Sequence, residues 1–229
     1  MPKRFSVSGE ITGLHPPQGA AMFGNVSVGR TTVHNNSTPV PSTVRDRVTV
    51  RDVSVFQCRH YACLAHGAIF EDVTVTDIKC VGNAPSFLWG CSYSRVSLRG
   101  YIGGLMFRWQ CDLQDMRLST EVAAAQSNEY AGVEWALDLT EADFSSFEAL
   151  LGVPARLVKR KSGEHFVLTR AAAESIISGS EGYSVWRISA EDLLESPFDD
   201  TVLVVGGTGS AKRRDLDEAR ALQDKGLLL

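Results

Sequence analysis

No stretch of this 229-residue chain approaches the ~18 consecutive apolar residues that a membrane-spanning helix needs. The opening residues, Met1-Pro2-Lys3-Arg4-Phe5-Ser6-Val7, lack the apolar centre of a secretory leader, so a cytoplasmic address is expected. Cysteine is scarce and odd in number: Cys58, Cys63, Cys80, Cys91 and Cys111. Five such residues without a leader argue against a disulfide framework and predict reduced, partly buried thiols. A strong net charge is also lacking. The total of −4 hides an asymmetry, with 12 Lys/Arg against 8 Asp/Glu in residues 1–119 and 11 against 19 in residues 120–229. Neither half is basic enough to suggest nucleic acid, but the imbalance can orient partners or the two halves of one chain.

Catalytic and cofactor motifs are missing as well. Val202-Leu203-Val204-Val205-Gly206-Gly207-Thr208-Gly209-Ser210-Ala211-Lys212 resembles the strand and glycine turn of a dinucleotide site, yet only 17 residues follow Lys212. A βαβ unit needs about 30 residues. The phosphate-loop pattern fails too, with Ala211 before the lysine and Arg213 after it. Cys58, His60, Cys63 and His66 lie close in sequence, but no second ligand pair follows them as tetrahedral zinc requires. No nucleophile-elbow signature is present. No cofactor and no metal are expected.

What the chain does contain is a repeat. Phe5-Ser6-Val7, Val26-Ser27-Val28, Val48-Thr49-Val50, Val73-Thr74-Val75, Val96-Ser97-Leu98 and Met116-Arg117-Leu118 read as six copies of one strand, spaced by 21, 22, 25, 23 and 20 residues. Alternation marks a strand, and the period marks a solenoid. Aligned on the later copies, further columns emerge: Leu64/Phe87/Phe107, His66/Trp89/Trp109, Ala68/Cys91/Cys111 and Phe70/Tyr93/Leu113. Steps of two keep them on one face, so all four are expected to point inward. His15-Pro16-Pro17-Gln18-Gly19 reads as a turn and residues 34–43 as a longer excursion.

Runs such as Asp46-Arg47-Val48-Thr49-Val50-Arg51-Asp52-Val53 and Glu71-Asp72-Val73-Thr74-Val75-Thr76-Asp77-Ile78 resemble coils of the right-handed parallel β-helix class, which includes pectin-degrading proteins. The resemblance covers about residues 3–119. It implies a mainly β fold, with about six short coils in a β-helix domain over residues 1–122 and an α+β capping or interaction unit over 123–229. In that unit Thr140-Glu141-Ala142-Asp143 reads as a helix start. Residues 156–170 read as a hairpin about Ser162-Gly163, 171–177 as a helix and 184–188 as a strand. Ser189 reads as a further helix start, residues 201–205 as a strand and 211–224 as a final helix.

Two surface patterns carry functional expectations. Arg47, Arg51, Arg95 and Arg99 fall at matching offsets and suggest a basic stripe for an acidic protein partner. Asp52 and Asp77 also share an offset, and a glycosidase needs two carboxylates about 5–10 Å apart. The first pattern favours a non-catalytic cytoplasmic protein-interaction module, of a bacterial immunity or scaffold type. The second is the alternative, a carbohydrate-active enzyme; a structural homo-oligomer is a third reading.

Overall fold

The computed structural model describes residues 5–12, 22–179 and 184–229, with side chains described from residue 27 onward. The turn expected at 15–19 lies outside the described residues. The chain is mainly β, with most strands running parallel in a solenoid-like arrangement.

The backbone shows why. Asp52, Gln57, Ala62, Gly67, Asp72, Asp77 and Gly82 all have positive φ, between 47° and 64°, and each lies five residues after the last. A left-handed residue turns an extended chain sharply. Each interval therefore forms one short side, and four intervals return the chain to its starting column. The pairing agrees, because Ser54 lies opposite Thr74 and Arg59 opposite Lys79, both 20 residues on. A three-residue insertion, Asn83-Ala84-Pro85, lengthens the next turn, so that Leu64 meets Phe87.

In chain order the strands are β1 (Phe5–Thr12), β2 (Met22–His34), β3 (Thr49–Phe56), β4 (Arg59–Tyr61), β5 (Leu64–His66), β6 (Ile69–Glu71), β7 (Thr74–Cys80), β8 (Ser86–Trp89), β9 (Ser92–Ser94), β10 (Val96–Ile102) and β11 (Leu105–Arg108). On the first side, Val7, Val28, Val55, Val75 and Leu98 lie in register. The third copy of the repeat is thus Val53-Ser54-Val55. Val48-Thr49-Val50 belongs to the preceding side, because sides five residues apart share the same alternation.

The sixth copy is also displaced. Met116-Arg117-Leu118 opens helix α1 (Met116–Tyr130), where Asp115 accepts a hydrogen bond from the Leu118 amide at 2.9 Å as an N-cap. The ladder resumes with β12 (Leu137–Phe144), where Leu137 pairs with Val96, and ends with β14 (Val158–Lys159). Parallel pairing therefore continues past residue 122. The helix expected at Thr140 is strand β12, since Leu137 and Leu139, then Ala142 and Phe144 beyond a one-residue bulge, are buried. The expected hairpin at 156–170 is also absent. Its first arm pairs with β12 and its second, β15 (His165–Thr169), pairs elsewhere.

The third side corrects the inward columns. Ala65, Leu88 and Phe107 are in register, and they pack in or against the main core. Leu64, Phe87 and Met106 form the adjacent row on the opposite face, with His66, Trp89 and Arg108 two residues on. Phe107 therefore does not share a column with Leu64 and Phe87, and a one-residue slip exchanges faces. Trp109 is not in the row of His66 and Trp89, and it packs in a second core. Ala68, Cys91 and Cys111 are all buried as expected. Phe70 stacks on Tyr93 at 5.8 Å, but Leu113 is 63% exposed.

After the coils come β13 (Glu148–Ala149), helices α2 (Arg170–Gly179) and α3 (Val185–Glu195), β16 (Asp200–Val204) and α4 (Gly209–Asp224). The strand expected at 184–188 is the first turn of α3, capped by Ser184. Strands β13, β16 and β15 form an antiparallel sheet, with Trp186, Phe166, Leu168 and Leu203 in its core.

The open edges of the last coils are closed by side chains. Gln126 of α1 donates to the Cys91 carbonyl at 2.8 Å. The Ser145 amide donates to the Ile102 carbonyl, and the Ser145 hydroxyl accepts from the Gly104 amide at 3.3 Å. Glu148 accepts from the Phe107 amide at 3.1 Å. Unpaired strand edges invite further pairing, and these contacts cover them.

Two buried ionisable groups have consequences for stability. Arg47 is 3% exposed and donates to Gly67 O at 2.6 Å, Ser92 Oγ at 2.5 Å and Glu129 Oε1 at 2.7 Å. It ties three coils to α1. Arg47→Ala should cost about 3 kcal/mol in urea unfolding, because it removes three charged hydrogen bonds and leaves the Gly67 carbonyl without this buried donor; a loss below about 1 kcal/mol contradicts this role. Glu148 faces Arg108 and Asp192, and burial pushes its carboxyl up to about 8 from an ordinary 4.5. Between those values the folded chain holds a proton that the unfolded chain has released, so Glu148 makes stability fall as pH rises. Glu148→Gln should gain on the wild type from pH 5 to pH 8, by up to about 1.4 kcal/mol per unit. His60 and His165, both lowered by burial, act in the opposite sense below their ordinary 6.5 and are unchanged by the substitution.

Candidate functional site

The second side of the coils is built from Thr32-Val33-His34, Arg59-His60-Tyr61 and Lys79-Cys80, laid in register. Its inward centre is His60, 8% exposed. His60 Nε2 donates to the Gly103 carbonyl at 2.5 Å, which leaves Nδ1 to accept the Ser86 hydroxyl at 2.7 Å. Burial lowers the His60 pKa and keeps the ring neutral. This pair satisfies two polar groups inside the core and fixes the strand. By alternation, its neighbours Arg59 and Tyr61 point outward.

Arg59 and Lys79 therefore stand side by side on the outer face, about 4.8 Å apart at the backbone. Both are exposed. Beyond Lys79 lies Tyr101 of β10, 44% exposed, with the Lys79 ammonium 5.9 Å from its ring centre. Gln57, Asp77, Cys58 and Cys80 complete an open groove of about 770 Å³. Gln57 accepts from Arg30 Nε at 3.3 Å, which brings a third cation to the rim. Asp77 accepts from the Tyr101 amide at 3.0 Å and pins the adjacent corner.

The arginines expected to form a basic stripe are placed differently. Arg47 is buried beneath α1 and is not on a docking surface. Arg51 pairs with Glu71, its in-register neighbour. Arg95 grips both oxygens of Asp72 at 2.6 and 2.7 Å and holds that carboxyl below its ordinary range. Arg99 lies 3.7 Å from Glu141, also in register. The three surface arginines are thus each set against a carboxylate one coil away.

Asp52 and Asp77 do not stack. Asp52 occupies the corner column of Asp72 and Arg95, whereas Asp77 occupies that of Gln57 and Gly100. Their shared offset came from the misassigned third copy, so the expected carboxylate pair does not form. Of the sequence-clustered Cys and His, Cys58 and His60 are buried, and His66 Nδ1 bonds the Cys111 carbonyl at 3.0 Å. Among the described residues no three His, Cys, Asp or Glu converge on a metal site. Lys212, beside the glycine turn, is bonded to Glu164 at 2.8 Å.

Among the described residues, Arg59 and Lys79 have no carboxylate within ion-pair distance. Like charges directly opposed across strands destabilise a sheet, whereas Arg51, Arg99 and Lys159 each have an acid as an in-register neighbour. The sequence signal for this pair was the 20-residue separation of Arg59 and Lys79, which the longer strand repeat obscured. Comparison with known proteins gives no match to any family model, curated protein or solved structure. No helix among the described residues is long and apolar enough to cross a membrane.

The opposed cations generate a prediction about stability. Arg59→Glu should place a carboxylate opposite Lys79 and raise stability by about 0.5 kcal/mol in urea unfolding. Arg51→Glu, which opposes Glu71, should lower it by a similar amount. Equal destabilisation by both substitutions contradicts the assigned pairing.

Proposed function

We propose that this chain is a non-catalytic protein-interaction module whose second side docks an acidic partner. In this reading the parallel strands from β1 to β14 wind as a right-handed parallel β-helix, and the C-terminal helices and antiparallel sheet close its end. The observation that carries the reading is the in-register pair Arg59 and Lys79, exposed and, among the described residues, without a carboxylate within ion-pair distance. A partner carboxylate would relieve their repulsion, and Tyr101 beside them supplies apolar contact area. Five free cysteines suit a cytoplasmic, reducing address. The enzyme alternative loses its residues, because Asp52 and Asp77 lie in different corner columns.

The test is co-purification from the native cell with wild type, Arg59→Glu/Lys79→Glu and Arg51→Glu chains. An acidic partner should accompany the wild type at low salt, leave as salt is raised, remain with Arg51→Glu and be absent from the double variant. Light scattering on the same samples separates a foreign partner from a second copy, whose acidic C-terminal half could fill the same role. Retention of the partner by the double variant, or no partner at any salt, sinks the proposal.

A further inference from the structure

We infer that the groove formed by Arg59, Lys79 and Tyr101 recognises a phosphate monoester, carried as a phosphorylated side chain of the docked partner. The inference rests on the docking reading above and names the chemistry of the group that fills the groove.

The argument begins with the charge count. Two cations are held one strand apart by the ladder, and neither has a carboxylate within ion-pair distance among the described residues. A single carboxylate neutralises one of them. A phosphate monoester carries about −1.5 to −2 at neutral pH and three acceptor oxygens, so one group can satisfy both. The donors are of two complementary kinds. Arg59 presents a planar fork, and Lys79 presents a compact ammonium. Gln57 gives its carbonyl to Arg30, which leaves its amide NH2 as a further donor on the rim.

The groove also has a direction. Strand order places Arg59, then Lys79, then Tyr101 across the face. A phosphoryl group between the two cations therefore directs its organic portion over the exposed Tyr101 ring. Asp77 is the one carboxylate of the lining. Its Oδ1 is committed to the Tyr101 amide, and its charge repels an anion that drifts from the Arg59–Lys79 end toward the corner. Position is thus set by attraction at one end and repulsion at the other.

Three probes separate the possibilities: phenyl phosphate, inorganic phosphate and benzoate, each titrated by NMR into the full chain. Phenyl phosphate should bind at least tenfold more tightly than benzoate and shift the Tyr101 ring signals. Arg59→Gln and Lys79→Gln should each weaken it about tenfold. Tyr101→Leu should reduce phenyl phosphate binding to the level of inorganic phosphate. Arg51→Gln should change nothing. All four side chains are exposed, and far-ultraviolet circular dichroism checks that each variant is folded. Equal binding of benzoate and phenyl phosphate, or no response to the Arg59 and Lys79 substitutions, overturns the assignment. If the acidic partner is lost from the Arg59→Glu/Lys79→Glu chain while phenyl phosphate fails to bind, docking stands and the phosphoryl assignment falls. If the partner is retained and phenyl phosphate also fails, both fall.

Discussion

A left-handed backbone every fifth residue is the constraint on which the rest of this structure depends. It fixes the length of each side and the number of sides in a turn, and so decides which residues meet one turn later. The conformation is not free. Glycine adopts it readily, but Gln57, Ala62 and Arg95 also hold positive φ, at a cost of order 1 kcal/mol each. Parallel pairing on both flanks offsets that cost, since a corner that relaxed would shift every later residue out of register. Gly100 shows the steric side of the same constraint. A Cβ there would lie 2.2 Å from the Asp77 carboxylate that caps the Tyr101 amide.

A stack of such turns has ends, and its C-terminal end is closed by chemistry rather than by shape. Each exposed rung meets a different polar group: Gln126 on the fourth side, Ser145 on the second, Glu148 on the third. The first side needs no cap because β12 and β14 continue it. Helix α1 replaces a strand where the fourth side stops, and Arg47 fastens it by reaching Gly67, Ser92 and Glu129 together. A chain that mixes coils with helices in this way is legible only in part, because the same rung can be covered by a strand, a helix or one carboxylate.

That mixture explains what sequence patterns revealed and what they hid. The alternating triplets Val26-Ser27-Val28, Val73-Thr74-Val75 and Val96-Ser97-Leu98 were read correctly, since one buried strand face demands alternation. Val48-Thr49-Val50 was confused with Val53-Ser54-Val55 because adjacent sides carry the same pattern five residues apart. Counting back from Met116, which opens a helix, puts Phe107 opposite Phe87, whereas the ladder puts Met106 there, and a period of two makes that one-residue slip invert the face. Met116-Arg117-Leu118 satisfies the triplet but follows an aspartate that caps a helix, so local capping prevailed over periodicity. In the C-terminal half Thr140 followed by acids mimics a helix start. The burial of alternate residues against the preceding coil decides for a strand.

The same geometry governs the surface charges. Offsets counted from a misassigned strand made Arg51 and Arg99 look free and Asp52 and Asp77 look paired. Counted from the corners, Arg51, Arg95 and Arg99 each face an acid, whereas Arg59 faces Lys79. Exposed ion pairs contribute little to stability, so the pairing of the first three arginines is best understood as removal of repulsion rather than as a source of strength. By the same reasoning the Arg59–Lys79 contact is a small, standing cost that an acidic residue at either position would remove. A fold that sets Arg51, Arg95 and Arg99 against acids one coil away, and Arg59 against Lys79 beside an exposed tyrosine, has kept that cost on one face. Under the docking proposal, an anion from outside the chain would relieve that repulsion, which would tie the stability of the second side to what it binds.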